Sequence, residues 1–566
     1  MKNYYGVDPK KQREKLLNSE TAKSMIESII EKADNALEKT YEALKISEYM
    51  LFLETGNRRV FEKKYFERRN DCSYLSIAYW LTEDDKYKNQ LIDLVFHICN
   101  EYTWCVPAHV GLKTEPTCQQ MIDRIDLFQA ETGRLLTDIA VLIGDRLPYY
   151  VMNRIEYEIR RRIIEPLRNT EHDWQDETCT NNWASVCAGG AGVALLHFGS
   201  ERDIDELLPM ICETMEHFLN GYNADGCCIE GYSYWNYGFG YFVIFAKNVY
   251  EYTNGKKNYF EREKVKSIAL FLQKARLGNT KIASFSDGSS TFTFSPGLVS
   301  FLKSVYPDDF VRPSLKLGTL QGNVYSMKEF LWFDVDYHED DYKNETTYFV
   351  DAEWFIKRNE KFSFAAKAGN NDEPHNHNDI GSFMIVAGDD HIPLADFGSG
   401  EYNARTFDNR YRYTMVQNAS FGHSVPIING TFQNFGAEYA AENVVASDNK
   451  FSFDMSKAYD AGIVKKLHRS FELKSDRVLL CDTVEYLGKT ETVTERMVSW
   501  TEPELGDGCV DLKTARILYN PEKYTASFVT DSYNGHSDSG EIKVFFIDFK
   551  AVNERETTFE FEIEIK

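Results

Sequence analysis

Along roughly the first 300 residues, hydrophobic side chains recur every three or four positions, the spacing that places them on one face of a helix. The segment 22–37 shows this pattern, as does 136–143, after which Gly144 is expected to stop the helix. A third stripe over 155–163 is followed by Pro166, which we expect to end that helix. Successive helices joined by short polar turns predict a layered all-α domain of stacked helical hairpins.

From about residue 345 the hydrophobic period changes to two, which is typical of strands with one buried face. The clearest case is 559–565, where Phe or Ile alternates with Glu. The segments 477–481 and 543–549 have the same β character. The chain is therefore predicted to be α+β and multidomain, with a helical domain over 1–340 and an antiparallel β-sandwich over 341–566.

Composition and charge narrow the class of protein. The chain has 566 residues with a formal net charge of −24, and 43% of them are hydrophobic. This hydrophobic content excludes bulk disorder, and the length is too great for one core. The acidic balance argues against nucleic acid as a partner, and no apolar run is long enough to suggest a membrane span. Because the N-terminus lacks an apolar leader, we expect a cytoplasmic protein, or a secreted or periplasmic one if a leader was removed. Homo-oligomerisation stays open.

Several segments concentrate polar and aromatic groups that a hydrophobic core does not need. They are 125–133, 172–183, 225–238 and 374–382, followed by 395–398 and 421–430. The aromatic residues of 232–237 suit either a stacking platform for sugar rings or ordinary packing. The pair Asn181 and Asn182 suits a helix cap, and Asp126 and Glu131 suit a helix face.

Two of the 12 histidines lie one residue apart, at His375 and His377. In a strand, alternate residues share a face, so both imidazoles would point into one cleft. Asp396 and His423 follow and would return on neighbouring strands. Two imidazoles and one carboxylate suit a zinc ion, and a set of unrelated hydrogen-bonded polar residues is the alternative.

Taken together, these segments resemble the heparinase II/III-like family of polysaccharide lyases, and the resemblance covers most of the chain. Its carriers are Ile-Asp-Leu-Phe-Gln-Ala-Glu-Thr at 125–132, Asn-Asn-Trp at 181–183, Glu-Gly-x-x-Tyr-Trp-x-Tyr-Gly at 230–238 and His-Asn-His-Asn-Asp-Ile-Gly-Ser-Phe at 375–383. The resemblance implies an (α/α) toroid followed by an antiparallel β-sandwich, with the active cleft between them. It also implies β-elimination at a uronic acid, in which a base removes the proton beside the carboxylate.

The resemblance implies roles for individual catalytic residues. Asn182 matches the residue that neutralises the substrate carboxylate, and Asn181 is the alternative. Tyr237 matches the catalytic tyrosine, with Tyr234 as the second choice, and His375 matches the partner base or proton shuttle. Which of the two abstracts the proton depends on stereochemistry that the sequence does not reveal.

The resemblance also implies a metal and a substrate site. His377, Asp396 and His423 match zinc positions, and the expected role of the zinc is structural, since elimination needs no water nucleophile. Cations for an acidic sugar are expected from the loop after Asp396, which carries Arg405, Arg410 and Arg412. The residues expected in the cleft wall are Glu131, Trp174 and Glu230.

The expected partner is a uronate-containing oligosaccharide or polysaccharide. Glycosaminoglycans such as heparan sulfate, hyaluronan or chondroitin come first and alginate next. One alternative is a glycoside hydrolase, which would recruit a carboxylate pair from Asp126, Glu131 and Glu230. The other is a glycan-binding protein without catalysis.

Overall fold

The computed structural model describes most of the chain and groups it into two compact units. The described residues are 2–291, 293–319, 327–342, 344–402, 406, 408–487, 492–535, 540–552 and 556–566. One unit comprises Met1–Asn223, Asn236–Ala269 and Thr293–Asp340, and the other comprises Ala224–Trp235, Leu270–Phe292 and Asp341–Lys566. Two segments from the first 340 residues are thus grouped with the C-terminal unit. The expected division into 1–340 and 341–566 stays a prediction.

The N-terminal unit is helical. In chain order, the α-helices of the protein are α1 Pro9–Leu17, α2 Lys23–Leu37, α3 Ile46–Thr55, α4 Arg59–Thr82, α5 Lys88–Cys99, α6 Cys118–Asp123, α7 Leu127–Ile143, α8 Tyr149–Ile159, α9 Glu165–Asn169, α10 Asn182–Phe198, α11 Glu201–Asn220, α12 Tyr232–Tyr234, α13 Gly240–Tyr252, α14 Glu263–Ala269, α15 Phe271–Ala275, α16 Pro296–Val305, α17 Lys328–Leu331 and α18 Asn409–Arg412. Of the helices in the described ranges, none has both the length and the apolar character needed to cross a bilayer.

The helical stripes expected at 22–37 and 136–143 are confirmed. Helix α2 buries Met25 and Ile29 on the face that the sequence indicates. Asp126 is the N-cap of helix α7, and its carboxylate accepts a hydrogen bond from the Gln129 backbone N–H at 2.7 Å. The helix ends at Gly144, as expected. Local spacing and capping therefore suffice to place these helices.

The helix end expected at Pro166 is wrong. The chain stays helical through a π-turn, Arg160–Ile164, and into α9, where Pro166 lies in the first turn. A proline is tolerated there because another donor satisfies the carbonyl that its missing N–H leaves without a partner. The Arg162 carbonyl, which an N–H at position 166 would otherwise reach, accepts a hydrogen bond from Gln129 Nε2 at 2.8 Å.

The C-terminal unit is built from antiparallel strands. They are β1 Thr346–Phe349, β2 Trp354–Arg358, β3 Phe362–Lys367, β4 Asn370–Asn371, β5 Phe383–Ala387, β6 His391–Leu394, β7 Ile427–Ile428, β8 Gly436–Ala440, β9 Glu442–Ala446, β10 Lys450–Asp454, β11 Val464–Leu473, β12 Arg477–Tyr486, β13 Val493–Ser499, β14 Glu504–Gly506, β15 Cys509–Asp511, β16 Ala515–Leu518, β17 Tyr524–Asn534, β18 Glu541–Ala551 and β19 Thr558–Ile565. The order of helices first and strands second is confirmed.

The strands form four sheets in the described chain. Their orders are β1-β2-β3-β5-β6, β14-β15-β16-β19-β12-β11-β10-β9, β17-β18-β13-β7 and β4-β8. Strand β19 buries Phe559, Phe561 and Ile563 and turns its glutamates outward, as the period of two predicts. Together with Phe364 and Phe549 from two other sheets, these residues belong to one hydrophobic core.

A buried arginine on β11 fixes the loops that follow β4 and α18. Arg469 is fully buried and pairs with Asp482 at 2.6 Å and Glu495 at 3.0 Å. Its Nη1 donates to the carbonyl oxygens of Gly381 at 2.8 Å and Ser424 at 2.7 Å. Those carbonyls lie in loops, where no strand partner satisfies them, so the guanidinium replaces the missing ladder.

We expect Arg469→Met to lower the free energy of unfolding by about 3–5 kcal/mol, because it leaves two buried carboxylates without their cation. Urea unfolding followed by tryptophan fluorescence measures this loss. The matched control is Arg477→Met on the next strand, where the arginine and its acidic partners stay about one-third exposed to water. Surface pairs of that kind contribute little, so equal losses in the two variants would contradict the assigned role of Arg469.

Candidate functional site

Three segments of the C-terminal unit approach one another closely because each has a glycine at the point of contact. A Cβ atom on Gly398 would lie 1.8 Å from the carbonyl oxygen of Gly288, and a Cβ atom on Gly231 would lie 2.8 Å from the Cα of Gly288. Any larger residue would push these backbones apart. The contact brings together the residues that precede two of these glycines. They include Asp287, directly before Gly288, and Asp396, two positions before Gly398.

Asp287 is a buried carboxylate that accepts hydrogen bonds from four side chains. Its Oδ2 lies 2.9 Å from His375 Nδ1 and from the Tyr402 hydroxyl, and its Oδ1 lies 2.9 Å from His377 Nε2. Arg412 Nη2 lies 3.2 Å from both oxygens. Although burial alone would raise it, the hydrogen bonds from the two histidines hold the pKa of Asp287 well below its usual range. The carboxylate is therefore anionic and only accepts hydrogen bonds.

His375 is oriented by this carboxylate. Because Nδ1 donates to Asp287, Nε2 is the basic nitrogen of the ring. The Tyr234 hydroxyl lies 3.3 Å from Nδ1, and the two rings pack with centroids 4.5 Å apart. The backbone of His375 has a φ of +57°, a left-handed conformation that costs about 1–3 kcal/mol in a residue other than glycine. Such an imidazole, held by a carboxylate through its other nitrogen, has the geometry of a general base.

Tyr234, the second choice for the catalytic tyrosine, belongs to the same cluster. Its hydroxyl lies 2.8 Å from that of Tyr402. Since Tyr402 donates to the anionic Asp287, its oxygen accepts the proton of Tyr234. Burial raises the pKa of Tyr234 above its usual range, which keeps it a neutral phenol. Glu230 is buried nearby, and burial raises its pKa too.

Four buried residues of the C-terminal unit could hold a metal ion. They are His377, Asp379, Asp396 and His423, whose ligand atoms all lie within 4.8 Å of one another. Three of those atoms have no hydrogen-bond partner among the described residues: His377 Nδ1, one oxygen of Asp379 and one of Asp396. Unpartnered buried polar atoms are costly, and three in one place suit a cation. The residues present therefore fit the group that the sequence resemblance implies.

The remaining atoms of these four residues are held by neighbours. His377 Nε2 donates to Asp287, and His423 Nε2 lies 3.1 Å from the Gln417 carbonyl. The other Asp379 oxygen accepts from Lys367 Nζ at 2.7 Å. Outer partners of this kind orient metal ligands and fix the histidine tautomers.

The pKa shifts of the two histidines suit this interpretation. Burial lowers the pKa of His377, which keeps its ring neutral, as a ligand must be. In His423 burial acts the same way, but Asp396 and Asp379 together outweigh it and raise the pKa. The carboxylates thus favour a positive charge at this point of the structure.

The helical unit carries the other predicted catalytic residues. Asn181 is the N-cap of α10 and accepts from the Trp183 N–H at 3.0 Å, which confirms the expected cap. Asn182 follows in the first turn and is 9% exposed, and no other described residue hydrogen-bonds its amide. A Cβ atom on Gly238 would lie 3.2 Å from the Cβ of Asn182, so the segment after Tyr237 packs against this amide.

Tyr237 is half-buried, and its hydroxyl lies next to a carboxyl group. Burial raises its pKa well above 10.0, and the charge of Glu131 raises it further. Burial also raises the pKa of Glu131. The Tyr237 hydroxyl is shielded from solvent and interacts with the Glu131 carboxyl group.

The remaining candidate binding residues differ in their surroundings. Trp174 is buried, and its indole N–H donates to the Ile125 carbonyl at 2.7 Å. The Arg410 side chain is 80% exposed and pairs with Asp408 at 2.6 Å. Arg412 is buried against Asp287, and Arg405 lies outside the described residues.

Sequence analysis did not identify Asp287, Tyr402 or Asp379 as functional. Asp379 lies inside the segment 374–382, so its carboxylate between two histidine motifs was a usable signal. Asp287 and Tyr402 lie in no motif, and only the folded chain brings them to His375.

Comparison with known proteins shows the fold. No family model matches the chain, and no curated protein sequence matches it. A heparan sulfate lyase HepC from Pedobacter heparinus has a TM-score of 0.58 and 15% identity, over 98% of this chain and 87% of that one. A heparinase III structure has a TM-score of 0.62 and 13% identity, over 93% and 85%. A chondroitin AC lyase from Streptomyces coelicolor A3 has a TM-score of 0.57 and 8% identity, over 98% and 82%. The chain has the fold of these lyase structures.

We expect chelator-treated protein to bind one divalent ion per chain, measured by calorimetric titration, with a rise in melting temperature. Because two of the four donors are imidazoles, a nitrogen-accepting ion such as zinc should bind more tightly than calcium. His423→Gln should weaken zinc binding at least about tenfold. The control is His391→Gln, whose ring bonds Thr514 and Thr501 instead. Equal affinities in both variants, or tighter calcium binding, would exclude this site.

Proposed function

We propose that the protein is a polysaccharide lyase that cleaves uronate-containing glycans by β-elimination. The observation that carries the proposal is the orientation of His375. Its Nδ1 bonds a buried carboxylate, so Nε2 is its basic nitrogen, and the Tyr234 phenol lies against its ring. The shared fold of lyase structures supports the reaction class. We propose the helical unit as an (α/α) toroid and the strands as an antiparallel β-sandwich.

The chemical problem of the reaction is electrostatic. Removing the proton beside a carboxylate builds a second negative charge on the same group, so hydrogen-bond donors must meet that charge as it develops. We assign this to Asn182, with Asn181 as the less favoured choice because its side chain already caps α10. The Asn182 amide has no partner in the described chain and, being neutral, is tolerated at its low exposure.

We assign proton abstraction to His375 and proton donation to Tyr237. The ring nitrogen of an imidazole oriented by a carboxylate is a more effective proton acceptor than a phenol that stays protonated. The raised pKa of Tyr237 makes its hydroxyl a poor base but keeps it protonated, as a donor to the departing sugar oxygen must be. Tyr234 has a similarly raised pKa, and its proton is given to Tyr402, which makes it the second choice.

We propose that the metal is zinc, held by His377, Asp396 and His423 with Asp379 as a fourth ligand. When bound it would supply fixed geometry and positive charge to the loops around it. The chain's own residues perform the proton transfers. Asp379 completes the donor set without displacing any residue that the sequence analysis proposed.

The substrate class follows from the chemistry of the reaction. Glycosaminoglycans are the first choice and alginate the second. Glu131, Glu230 and Trp174 are the proposed contacts for the sugar, and Arg405 and Arg410 are the proposed contacts for acidic groups. For the hydrolase alternative, Asp126 is a poor candidate for the catalytic carboxylate pair. Its carboxylate is already bound to the Gln129 N–H and to His109 Nδ1, the latter at 2.9 Å.

We expect the enzyme to convert heparan sulfate, hyaluronan, chondroitin or alginate oligosaccharides into products with ultraviolet absorbance from a conjugated enoate, identified by mass. His375→Gln and Tyr237→Phe should each lower kcat by about 10²- to 10⁴-fold. Asn182→Asp should lower kcat similarly, because it places a negative charge where charge develops.

The control for the last variant is Asn258→Asp, since that amide donates to the exposed Glu261 and accepts from the Phe260 backbone N–H at 3.1 Å, which a carboxylate can also do. New reducing ends without absorbance would show hydrolysis instead. Binding without any product, unchanged in the His375 and Tyr237 variants, would show a glycan-binding protein.

A further inference from the structure

We propose that Asp287 is a positioning residue that couples the metal site to the orientation of His375. The inference rests on the proposed function only for the role of His375 as base. One oxygen of Asp287 binds the candidate metal ligand His377, and the other binds His375, each at 2.9 Å. A single carboxylate thus holds both imidazoles of the His375-Asn-His377 segment.

The coupling follows from the tautomers of the two rings. A cation at His377 Nδ1 needs the lone pair of that nitrogen, so the ring proton must lie on Nε2. Nε2 then always donates to Asp287 Oδ1. Without a cation, a neutral His377 can move its proton to Nδ1, and the lone pair of Nε2 would then repel the carboxylate oxygen. Metal binding therefore fixes where the carboxylate lies.

The position of the carboxylate in turn selects the tautomer of His375. Oδ2 accepts only, so a carboxylate fixed at 2.9 Å from Nδ1 keeps the His375 proton on Nδ1 and the lone pair on Nε2. A carboxylate free to rotate would leave both tautomers populated. The left-handed backbone at His375 adds to this need, because a strained conformation persists only where its surroundings hold it.

Other contacts make the carboxylate stiff enough to transmit this constraint. Arg412 bonds both of its oxygens and also the Asn376 carbonyl at 2.9 Å, so it ties Asp287 to the backbone between the two histidines. Gly288 follows Asp287 directly and is packed against Gly231 and Gly398. These contacts hold Asp287 between the two histidines, so a change at Oδ1 reaches His375 through Oδ2 of the same carboxylate.

The test uses zinc alone as the probe and reads the imidazole nitrogens by NMR in protein labelled with ¹⁵N-histidine. Signals of His375 and His377 are assigned from the spectra of His375→Gln and His377→Gln. In the native chain, we expect zinc to shift the His375 nitrogens toward a single form with a protonated Nδ1. In Asp287→Asn, zinc should leave the His375 signals unchanged, and its affinity should fall about 10- to 100-fold.

Two further variants separate positioning from folding. Asp340→Asn removes a carboxylate that pairs with Arg312 and Lys303 instead, so zinc affinity and the His375 response should stay native. Tyr402→Phe removes one donor from Asp287 but leaves both histidine bonds, so the response should persist.

The native titration decides the matter even if Asp287→Asn does not fold. A native His375 that does not respond to zinc, or an Asp287→Asn variant that responds as the native chain does, would overturn the proposal. Neither readout requires substrate, so failure to find lyase activity is a separate result.

Discussion

A carboxylate taken out of water must be surrounded by donors, and the candidate site is organised around that requirement at Asp287. An isolated buried ion costs several kcal/mol even after relaxation. Asp287 meets this cost with four donors from His375, His377, Tyr402 and Arg412. The two histidines share one loop, Tyr402 lies in another and Arg412 lies on α18, so satisfying one charge fixes the relative positions of all three segments. The same bonds determine which nitrogen of each histidine points away from Asp287.

Arg469 meets the opposite requirement beneath the same loops. The loops that carry His377 and His423 are irregular, and the carbonyls of Gly381 and Ser424 lie outside any strand. Arg469 donates to both of these carbonyls and is neutralised by Asp482 and Glu495. A buried cation and a buried anion thus do for these loops what a hydrogen-bonded ladder does for a sheet. Strand β11 transmits the rigidity of the sheet to the candidate metal ligands.

The sequence predicts those parts of the structure that depend on local spacing. Periodicity placed α2 and β19, because each buries one face against its own unit. It also placed α7, whose apolar residues recur at helical spacing although most of the helix is buried. It failed at Pro166, where a side chain from another helix, Gln129, satisfies the carbonyl that proline leaves without a partner. In the candidate site, His375 and His377 are visible because they share one short motif. Asp287 is not visible in the sequence, because the two histidines that it binds lie about 90 residues further along the chain and Asp287 itself lies in no motif.

Charge limits how such a site can recognise an acidic sugar. The chain has a net charge of −24, so long-range attraction of a polyanion is unfavourable and recognition must rely on contacts at short range. Arg412 is already bound to Asp287, and Arg410 pairs with Asp408 in water, so neither cation is without a counter-charge. A neutral amide such as Asn182 needs no counter-ion when substrate is absent, and burying it costs less than burying a cation. In the proposed reaction, its hydrogen bond would strengthen as charge builds on the bound carboxylate, which is when stabilisation accelerates a reaction.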